Sequence, residues 1–462
     1  MIRLFRVYLP VGVFALLLSE IVITTLCFLL VSFLVLTEDL STYLLYENGI
    51  VRLVIVIASI ILGFYLADLY GRIHVKSRMR LLQDLCQVFG VALLVQGVIS
   101  YAMPELKFGR GIMLLGSLLS LVVLFMWRLV CSAYVLKVVG SERILFVDAS
   151  PIMRELAMQI ASRPELGLSI QGYLDDTETP GTDLFGAKVL GPVADLGKIA
   201  AEIRPSRIVV GRSGQKGRIS PEALLELRFA GFTIEDSTSM YEAICGRLST
   251  QELSPDQLIF SGGQESRAGS RFLQDFVNLA IGLIGAIVTL PLMALVAIIV
   301  KSNSRGPVFS RQVCVGKDGA LFVIKKFRSI CADIAHSQGS NWTSRDDPRL
   351  TSIGGWLRRL RLDELPLLFN LLRGDISLVG PRPEPPEFVE SLAKRIPYYR
   401  QRHSVKPGIT SWAQVNRNYA DNLEDTVAKL EYDLYYIKNI SPSLDAYIVL
   451  HTLKTIILAR SA

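Results

Sequence analysis

Asp363 and Glu364 are adjacent carboxylates set among cations. Arg358, Arg359, Arg361, Arg373 and Arg382 flank them, and Lys325, Lys326 and Arg328 lie upstream. Neighbouring acids on a helix of 3.6 residues per turn point about 100° apart, which disfavours a symmetric dyad sharing one proton. They suit two separate jobs: one carboxylate attacks an electrophilic phosphorus, and the other holds a divalent metal beside it. Mg2+ commonly takes one or two carboxylates and fills its remaining positions with substrate phosphate oxygens. Asp363 and Glu364 are therefore the candidate metal residues as well as the candidate catalytic ones. Guanidinium groups grip phosphate oxygens in pairs and offset the charge of a diphosphate. Taken alone, the acid pair has a plainer reading. Asp363 would cap a helix starting at Glu364, with Pro366 in its first turn, and the arginines would form a solvated face. The surrounding sequence has to decide between the two.

Upstream of the pair, the stretch 306–330 predicts a β-hairpin turning over GKDG at 316–319, followed by a basic run. Before it, Val277 to Val300 carries no charge and is long enough to cross a membrane. Two features favour a helix of about 272–300 that dips into one leaflet and returns. Pro291 near its middle removes a backbone donor and kinks a helix. Cations follow it at Lys301, Arg305, Arg311 and Lys317, as expected of a segment that ends in the cytoplasm. A spanning helix with a proline kink is the alternative.

The chain has 462 residues, 51% of them hydrophobic, with a formal net charge of +7. Its mean hydropathy is +0.40. That apolar content implies membrane segments, and the basic excess suits anionic headgroups or phosphates better than nucleic acid. Four apolar stretches at 9–36, 50–69, 84–103 and 111–136 predict a transmembrane bundle over 1–140. The first stretch is too long for the core of a cleavable signal peptide. Cations gather before the first span (Arg3, Arg6), after the second (Arg72 to Arg80) and at the end of the fourth (Arg128, Lys137), which puts the N-terminus and everything beyond 140 in the cytoplasm. The six cysteines form no C-x-x-C pair, so neither a zinc site nor a disulfide framework is expected.

Between 141 and 262 short apolar strands alternate with helical segments, predicting a Rossmann-like parallel sheet. Its first turn reads Asp148, Ala149, Ser150, Pro151, without the glycines that bring a backbone close to a diphosphate. Asp175 and Asp176 could hold a ribose, but a plain strand-end turn is the better reading, and the domain is expected to be structural or regulatory. The polar stretch 261–270 links it to the last domain, 263–462. Towards the end, the apolar run 446–460 could lie in the membrane interface or pack on the domain core. Trp412 could stack on a base or fill the core, and His403 reads as structural.

The stretch from about 271 to 460 resembles the bacterial sugar transferases, the polyprenyl-phosphate glycosyl-1-phosphate transferases. The likeness rests on KKFRSI at 325–330, LRRLRLDELPLLFNLLRGDISLVGPRPE at 357–384 and KPGITSWAQVN at 406–416. The four preceding spans and the βαβ domain resemble the larger form of that family. The resemblance implies a monotopic α/β catalytic domain with a kinked re-entrant helix, broken here at Leu290-Pro291 in place of the usual Ser-Pro. It implies that Asp363 attacks the β-phosphate of a UDP-sugar, releases UMP and holds the sugar phosphate covalently until undecaprenyl phosphate takes it. Glu364 would bind Mg2+, and Lys326, Arg358 and Arg382 would surround the phosphates, with Pro383 beside Arg382. Arg328, Arg361 and Arg417 complete the candidate substrate-binding set. Ser411 replaces the glycine usual before the tryptophan of this string.

The expectation is thus an enzyme of a bacterial inner membrane, catalysing the first membrane step of exopolysaccharide, capsule or O-antigen synthesis. Two rivals fit less well. A nucleotide-sugar dehydratase or epimerase would need the glycine-rich turn and a Tyr-x-x-x-Lys pair, and neither is present. A non-enzymatic sensor of nucleotide or lipid would not need Asp363 and Glu364 inside a ring of cations. Neither the sugar nor the oligomeric state is encoded legibly, a homodimer being one option.

Overall fold

The computed structural model describes residues 2–4, 7–9, 11–36, 40–46, 48–70, 77–106, 109–132, 142–163, 166–211, 220–253, 267–303, 306–330, 350–416 and 422–457. The chain divides into two units, in the main Tyr8–Ser237 and Thr238–Ala462.

The first unit begins with four long apolar helices, α1 (Val11–Val35), α2 (Gly49–Leu66), α3 (Arg78–Ala102) and α4 (Arg110–Val130). Each contains a stretch long and apolar enough to cross a membrane. The start of α3 lies earlier than hydropathy indicates, because its first turn is basic and is capped by the Ser77 hydroxyl accepting from the Arg80 amide. Lipid gives apolar faces no drive to associate, so such bundles are stitched by small and polar residues. Here Phe28 of α1 lies over Gly116 of α4, where an added Cβ would meet its ring at 2.6 Å. Trp127 donates to the Ser19 hydroxyl at 2.9 Å, and Gln96 to that of Ser59 at 3.0 Å. The strongest stitch is ionic. Arg128 places Nε 2.6 Å from Glu20 Oε1, donates to the Leu69 carbonyl at 3.1 Å and lies over the rings of Phe64 and Tyr70.

The same unit holds a six-stranded sheet of β1 (Glu142–Val147), β2 (Leu168–Leu174), β3 (Asp183–Leu184), β4 (Ala187–Gly191), β5 (Arg207–Val210) and β6 (Thr233–Asp236). Its order is β3-β4-β2-β1-β5-β6, parallel except for the β3–β4 pair. Helices α5 (Pro151–Ser162), α6 (Leu196–Ile203) and α7 (Pro221–Phe229) connect its strands. The sequence pattern missed β3 and β4, which are short and turn over Phe185 and Gly186, both at positive φ. The acids after β2 close turns of their own chain. Asp175 accepts from the amides of Ala149 at 2.8 Å and Thr177 at 2.6 Å, and Asp176 accepts from the Val193 amide at 2.9 Å. At the end of β5, a Cβ on Gly211 would lie 2.9 Å from Asp148 Oδ2. The acids that hold a ribose in a dinucleotide-binding sheet are thus engaged within the chain.

The second unit opens with α8 (Ser237–Cys245) and the segment up to Leu253, which the sequence pattern grouped with the sheet. Glu242 accepts from Lys438 and Asn439, and Leu248 and Leu253 join the core around Tyr435 and Leu444. Then comes α9 (Arg267–Asn303), one helix that runs through Pro291. The hairpin β7 (Phe309–Val315) and β8 (Leu321–Phe327) forms as expected, turning over Lys317–Gly319. Next are α10 (Gly354–Arg359), a 3-10 turn at Leu362–Glu364 and α11 (Leu367–Arg373). Strand β9 (Ser377–Val379) pairs in parallel with β10 (Gly408–Thr410), with α12 (Pro386–Ala393) and a 3-10 turn at Tyr399–Ser404 between them. Helices α13 (Trp412–Asn416), α14 (Leu423–Asn439) and α15 (Pro442–Ile457) finish the described chain.

One face of α9 is covered along its length by this unit. Gln274 donates to Asp445 at 2.7 Å, and Asn278 bonds the Ser377 hydroxyl and the Leu378 amide. Gly282 and Gly285 admit Leu371, Leu372 and Leu368 of α11. Met293, Val296 and Val300 pack on Phe327 and Leu357. Apart from a gap of two turns between Gly285 and Met293, these positions recur every three or four residues and form one stripe. The opposite face, with Leu283, Ile287 and Ile298, is exposed. Helix α15 packs on the core through Leu444 and Ile448, which are fully buried, while Leu450 and Leu453 of the same helix are exposed. Trp412 is also core: it stacks on Tyr435 and donates to the Gly246 carbonyl at 2.7 Å.

Replacing Arg128 by Ala would leave Glu20 buried without its cation, which typically costs about 3–5 kcal/mol. A matching fall in thermal stability of the detergent-solubilised chain is expected. The pair Glu20→Gln, Arg128→Met should recover most of it, and an unchanged Arg128→Ala would contradict the pairing.

Candidate active site

The order of apolar and acidic residues in Leu362-Asp363-Glu364-Leu365 explains how the two carboxylates come to face the site. Leu362 and Leu365 pack with Leu357 and Phe327 against Met293, Val296 and Val300 of α9, so the residues between them are turned away from the helix. Arg361 enters the turn at φ 53°, a left-handed conformation that costs a residue with a side chain about 1–3 kcal/mol. Its side chain offsets that strain through an ion pair with Glu364. In a 3-10 turn successive side chains diverge by about 120°. Asp363 and Glu364 therefore point apart, as the sequence suggests, although the turn is tighter than an α-helix. The capping alternative does not hold: α11 starts at Leu367 behind Pro366, with no side-chain cap.

Glu364 is enclosed by cations. Its Oε1 lies 3.0 Å from Arg382 Nη2 and 3.3 Å from Lys326 Nζ, and its Oε2 lies 3.3 Å from Arg361 Nε. Burial alone would raise the pKa of this carboxyl, but Arg382, Lys326 and Arg361 outweigh it and hold the group down at about 2. Asp363 is 8% exposed. Among the described residues none hydrogen-bonds or ion-pairs with its carboxylate. Its pKa is raised, first by burial and then by the charge of Glu364, against the weaker pull of Lys326, Arg358 and Arg382. Two neighbouring acids are thus driven in opposite directions by their surroundings.

Each cation has its own support. Lys326 projects from β8 on the face opposite Phe327. Arg358 is held by Ser329, whose hydroxyl accepts from its Nε at 3.0 Å. Ser329 is in turn clamped to the start of α10. Its carbonyl accepts from the Thr351 amide at 3.0 Å, and a Cβ on Gly354 would sit 2.0 Å from that oxygen, so only glycine fits there. Arg382 and Pro383 lie in the turn after β9, where the Gly408 amide donates to the Pro381 carbonyl at 3.0 Å. Arg328 is buried at the root of the hairpin, its amide donating to the Val308 carbonyl at 3.0 Å, and it is not among the ion-pair partners of Glu364. Arg359 and Arg373 are exposed, so the solvated-face reading holds for these two. Arg417 lies outside the described residues. His403, read as structural, is held at about pKa 4 by burial and by Arg402, so it is neutral near pH 7.

Nothing in the residue pattern singles out Ser329, Glu384, Tyr399, Arg402 or Asp433, which form the layer behind these cations. Ser329 and Glu384 at least stand inside the ordered strings that drew attention to their neighbours. Among the described residues, no group of three or more His, Cys, Asp or Glu is placed to hold a metal ion. What the described residues offer a cation is this carboxylate pair, with both oxygens of Glu364 already paired to cations, so a Mg2+ held here would draw most of its oxygens from a bound phosphate.

In the folded state Glu364 stays ionised down to about pH 2, against 4.5 for an ordinary glutamate. The stability it contributes is complete above pH 4.5 and is lost as pH falls towards 2. The difference in unfolding temperature between the chain and Glu364→Gln should shrink across that window, and a difference independent of pH would contradict the ion pairing.

Two family models match the chain, a bacterial sugar transferase model over residues 269–459 and a CoA-binding domain model over 65–210. The chain is 41% identical over 216 residues to a UDP-N-acetylgalactosamine-undecaprenyl-phosphate N-acetylgalactosaminephosphotransferase of Aeromonas hydrophila, covering 47% of this chain and 50% of that protein. It is 44% identical over 177 residues to an undecaprenyl-phosphate glucose phosphotransferase of Komagataeibacter xylinus, covering 37% and 33%. The chain therefore spans half of the first relative and a third of the second. It spans 76% of the uncharacterized sugar transferase EpsL of Bacillus subtilis, at 39% identity over 166 residues. With the apolar helices of the first unit and the carboxylate–cation site of the second, these likenesses identify a membrane protein, and the chain belongs to the bacterial sugar transferase family.

Proposed function

We propose that the chain transfers a sugar-1-phosphate from a UDP-sugar to undecaprenyl phosphate at the cytoplasmic face of a bacterial inner membrane, releasing UMP. The observation that carries this reading is the contrast within the acid pair. Asp363 has no partner among the described residues and is shifted upward, while Glu364 is locked in its ionised form by three cations. A carboxylate made more basic is the better nucleophile once ionised. Asp363 attacks the β-phosphorus of the UDP-sugar, and the bond from that phosphorus to the bridging oxygen breaks, so UMP leaves with the electron pair. The sugar phosphate remains on Asp363 as an acyl phosphate. An oxygen of undecaprenyl phosphate then attacks the same phosphorus, and the bond to Asp363 breaks, which restores the carboxylate.

Lys326, Arg358, Arg361 and Arg382 neutralise the diphosphate and the charge that develops on the leaving phosphate. Glu364 is the fitted donor for Mg2+, with Asp363 next to it. When bound, that ion supplies further charge neutralisation and orients the phosphates. The names of the relatives include both glucose and N-acetylgalactosamine transfer, so the likeness leaves the sugar open.

α9 runs unbroken through Pro291, without the break that the resemblance implies, and its stripe supports a helix held in one leaflet rather than a spanning one. From Gln274 to Val300 it covers about 39 Å at 1.5 Å per residue, more than the apolar thickness of a bilayer at about 30 Å. A helix crossing upright would carry its partner, a domain with buried ionic groups, into lipid. Lying in one leaflet with Leu283, Ile287 and Ile298 towards lipid, it keeps the domain at the headgroups, where a soluble nucleotide sugar and a lipid phosphate can meet. The cationic connections of the bundle support the cytoplasmic side.

With radiolabelled UDP-sugars, Mg2+ and undecaprenyl phosphate, the chain should form a lipid-linked product, and Asp363→Asn should lose it while keeping its unfolding temperature. Substantial transfer by Asp363→Asn would exclude the covalent route, and no product from any common UDP-sugar would favour a sensor. The pH profile gives a second check. Asp363 must be ionised to attack and its pKa is raised, so the acid limb of kcat/KM should fall above the ordinary aspartate range of about 4. Because Glu364 stays ionised to about 2, the limb should have a slope of one. A slope of two would contradict the split between the acids.

A further inference from the structure

Behind the cation ring lies a second ionic cluster that no step of the proposed reaction uses. Arg402 is 2% exposed. Its guanidinium donates to the Tyr399 hydroxyl at 2.8 Å, to Asp433 at 2.9 Å and to the backbone carbonyl of Arg382 at 3.1 Å, and it pairs with Glu384. Glu384 also pairs with Lys429 and accepts from the Tyr399 hydroxyl. Sinking an arginine and two carboxylates in a domain core is expensive, and well-packed apolar residues of similar volume are often as stabilising or more so. The geometry suggests what the cluster does instead. Arg402 grips the turn 380–384 at two points, the Arg382 carbonyl and the Glu384 carboxylate. The same Nη2 serves both Asp433 and the Arg382 carbonyl, so Asp433 fixes the direction from which that carbonyl is held. Two further backbone groups of the turn are tied as well, by Val315 donating to the Glu384 carbonyl at 2.9 Å and Gly380 donating to the Thr410 carbonyl at 3.0 Å.

We propose that Arg402, oriented by Asp433, is a positioning residue: it fixes the peptide of Arg382 so that the Arg382 side chain meets Glu364 and the diphosphate of the substrate. This rests on the reading of Arg382 as a diphosphate ligand. Asp433 and Tyr399 then act through Arg402, and their effect reaches the reaction only by way of the Arg382 side chain.

A double-mutant cycle on the full-length chain tests this, with kcat and KM for UMP release read beside the unfolding temperature. Asp433→Asn should lower kcat/KM by about 10- to 100-fold, the scale of a small misplacement. In an Arg382→Ala background the same substitution should cost less than about 2-fold, because residues that act through one another are not additive. The fall in unfolding temperature should be the same in both backgrounds. Equal losses of kcat/KM in both backgrounds would make the cluster merely structural and overturn the proposal, as would unchanged kinetics in Asp433→Asn. Should Asp433→Asn not fold, Tyr399→Phe, which removes one hydroxyl from Arg402, takes its place with the same expectations. Full activity of Arg382→Ala itself would point to a different failure, that of Arg382 as a diphosphate ligand.

Discussion

The charge of Glu364 is the constraint around which the catalytic unit is arranged. A carboxylate largely withdrawn from water is stable as an anion only if cations are brought to it, and three arrive from separate segments: Lys326 from the hairpin, Arg361 from the 3-10 turn and Arg382 from the turn after β9. Arg361 is a near neighbour, three residues before Glu364, but Lys326 and Arg382 are not residues that chain continuity alone would orient. The hairpin must pack on α11, the 3-10 turn must be pinned to α9 by Leu362 and Leu365, and the 380–384 turn must be clamped by β10. Burial, and then the anion beside it, raise the pKa of Asp363.

The same packing fixes where the site sits. Polar anchors at Gln274 and Asn278, small residues at Gly282 and Gly285 and an apolar patch at Met293, Val296 and Val300 change in character along α9 but keep to one face. The helix is thus a platform for the unit along its whole described contact, and its lipid-like face is left outward. On the proposed reading this couples membrane association to catalysis, since the patch that seats the catalytic turn is part of the helix that meets the bilayer.

Much of this was legible in the residues. The four apolar spans, the parallel sheet and the hairpin over GKDG carry strong periodicity or punctuation, and each formed close to its expected place. The acid pair followed from residue types, and the resemblance implied Lys326, Arg358 and Arg382 around the phosphates; of these Lys326 and Arg382 pair with Glu364, joined by Arg361 from the wider candidate set. What the sequence hid depended on tertiary contact. Glu20 and Arg128 are 108 positions apart, and nothing local marks them as partners. Arg402 and Asp433 look like ordinary charges of helical segments until the fold buries both. The division at Ser237 was missed because α8 continues the alternating pattern of the sheet domain while its side chains pack on α14. The tightness of the Leu362–Glu364 turn was hidden too, because it depends on Arg361 adopting a left-handed backbone.

The central claim is that Asp363, and not its neighbour, forms a bond to phosphorus. The most direct measurement is to incubate the full-length chain with a UDP-sugar and Mg2+ in the absence of undecaprenyl phosphate, quench in acid, digest, and sequence the modified peptide by mass spectrometry. The account predicts a sugar-phosphate adduct on Asp363 that disappears when the lipid phosphate is added before the quench. An adduct on Glu364, or lipid-linked product formed at full rate with no adduct at any residue, would contradict it.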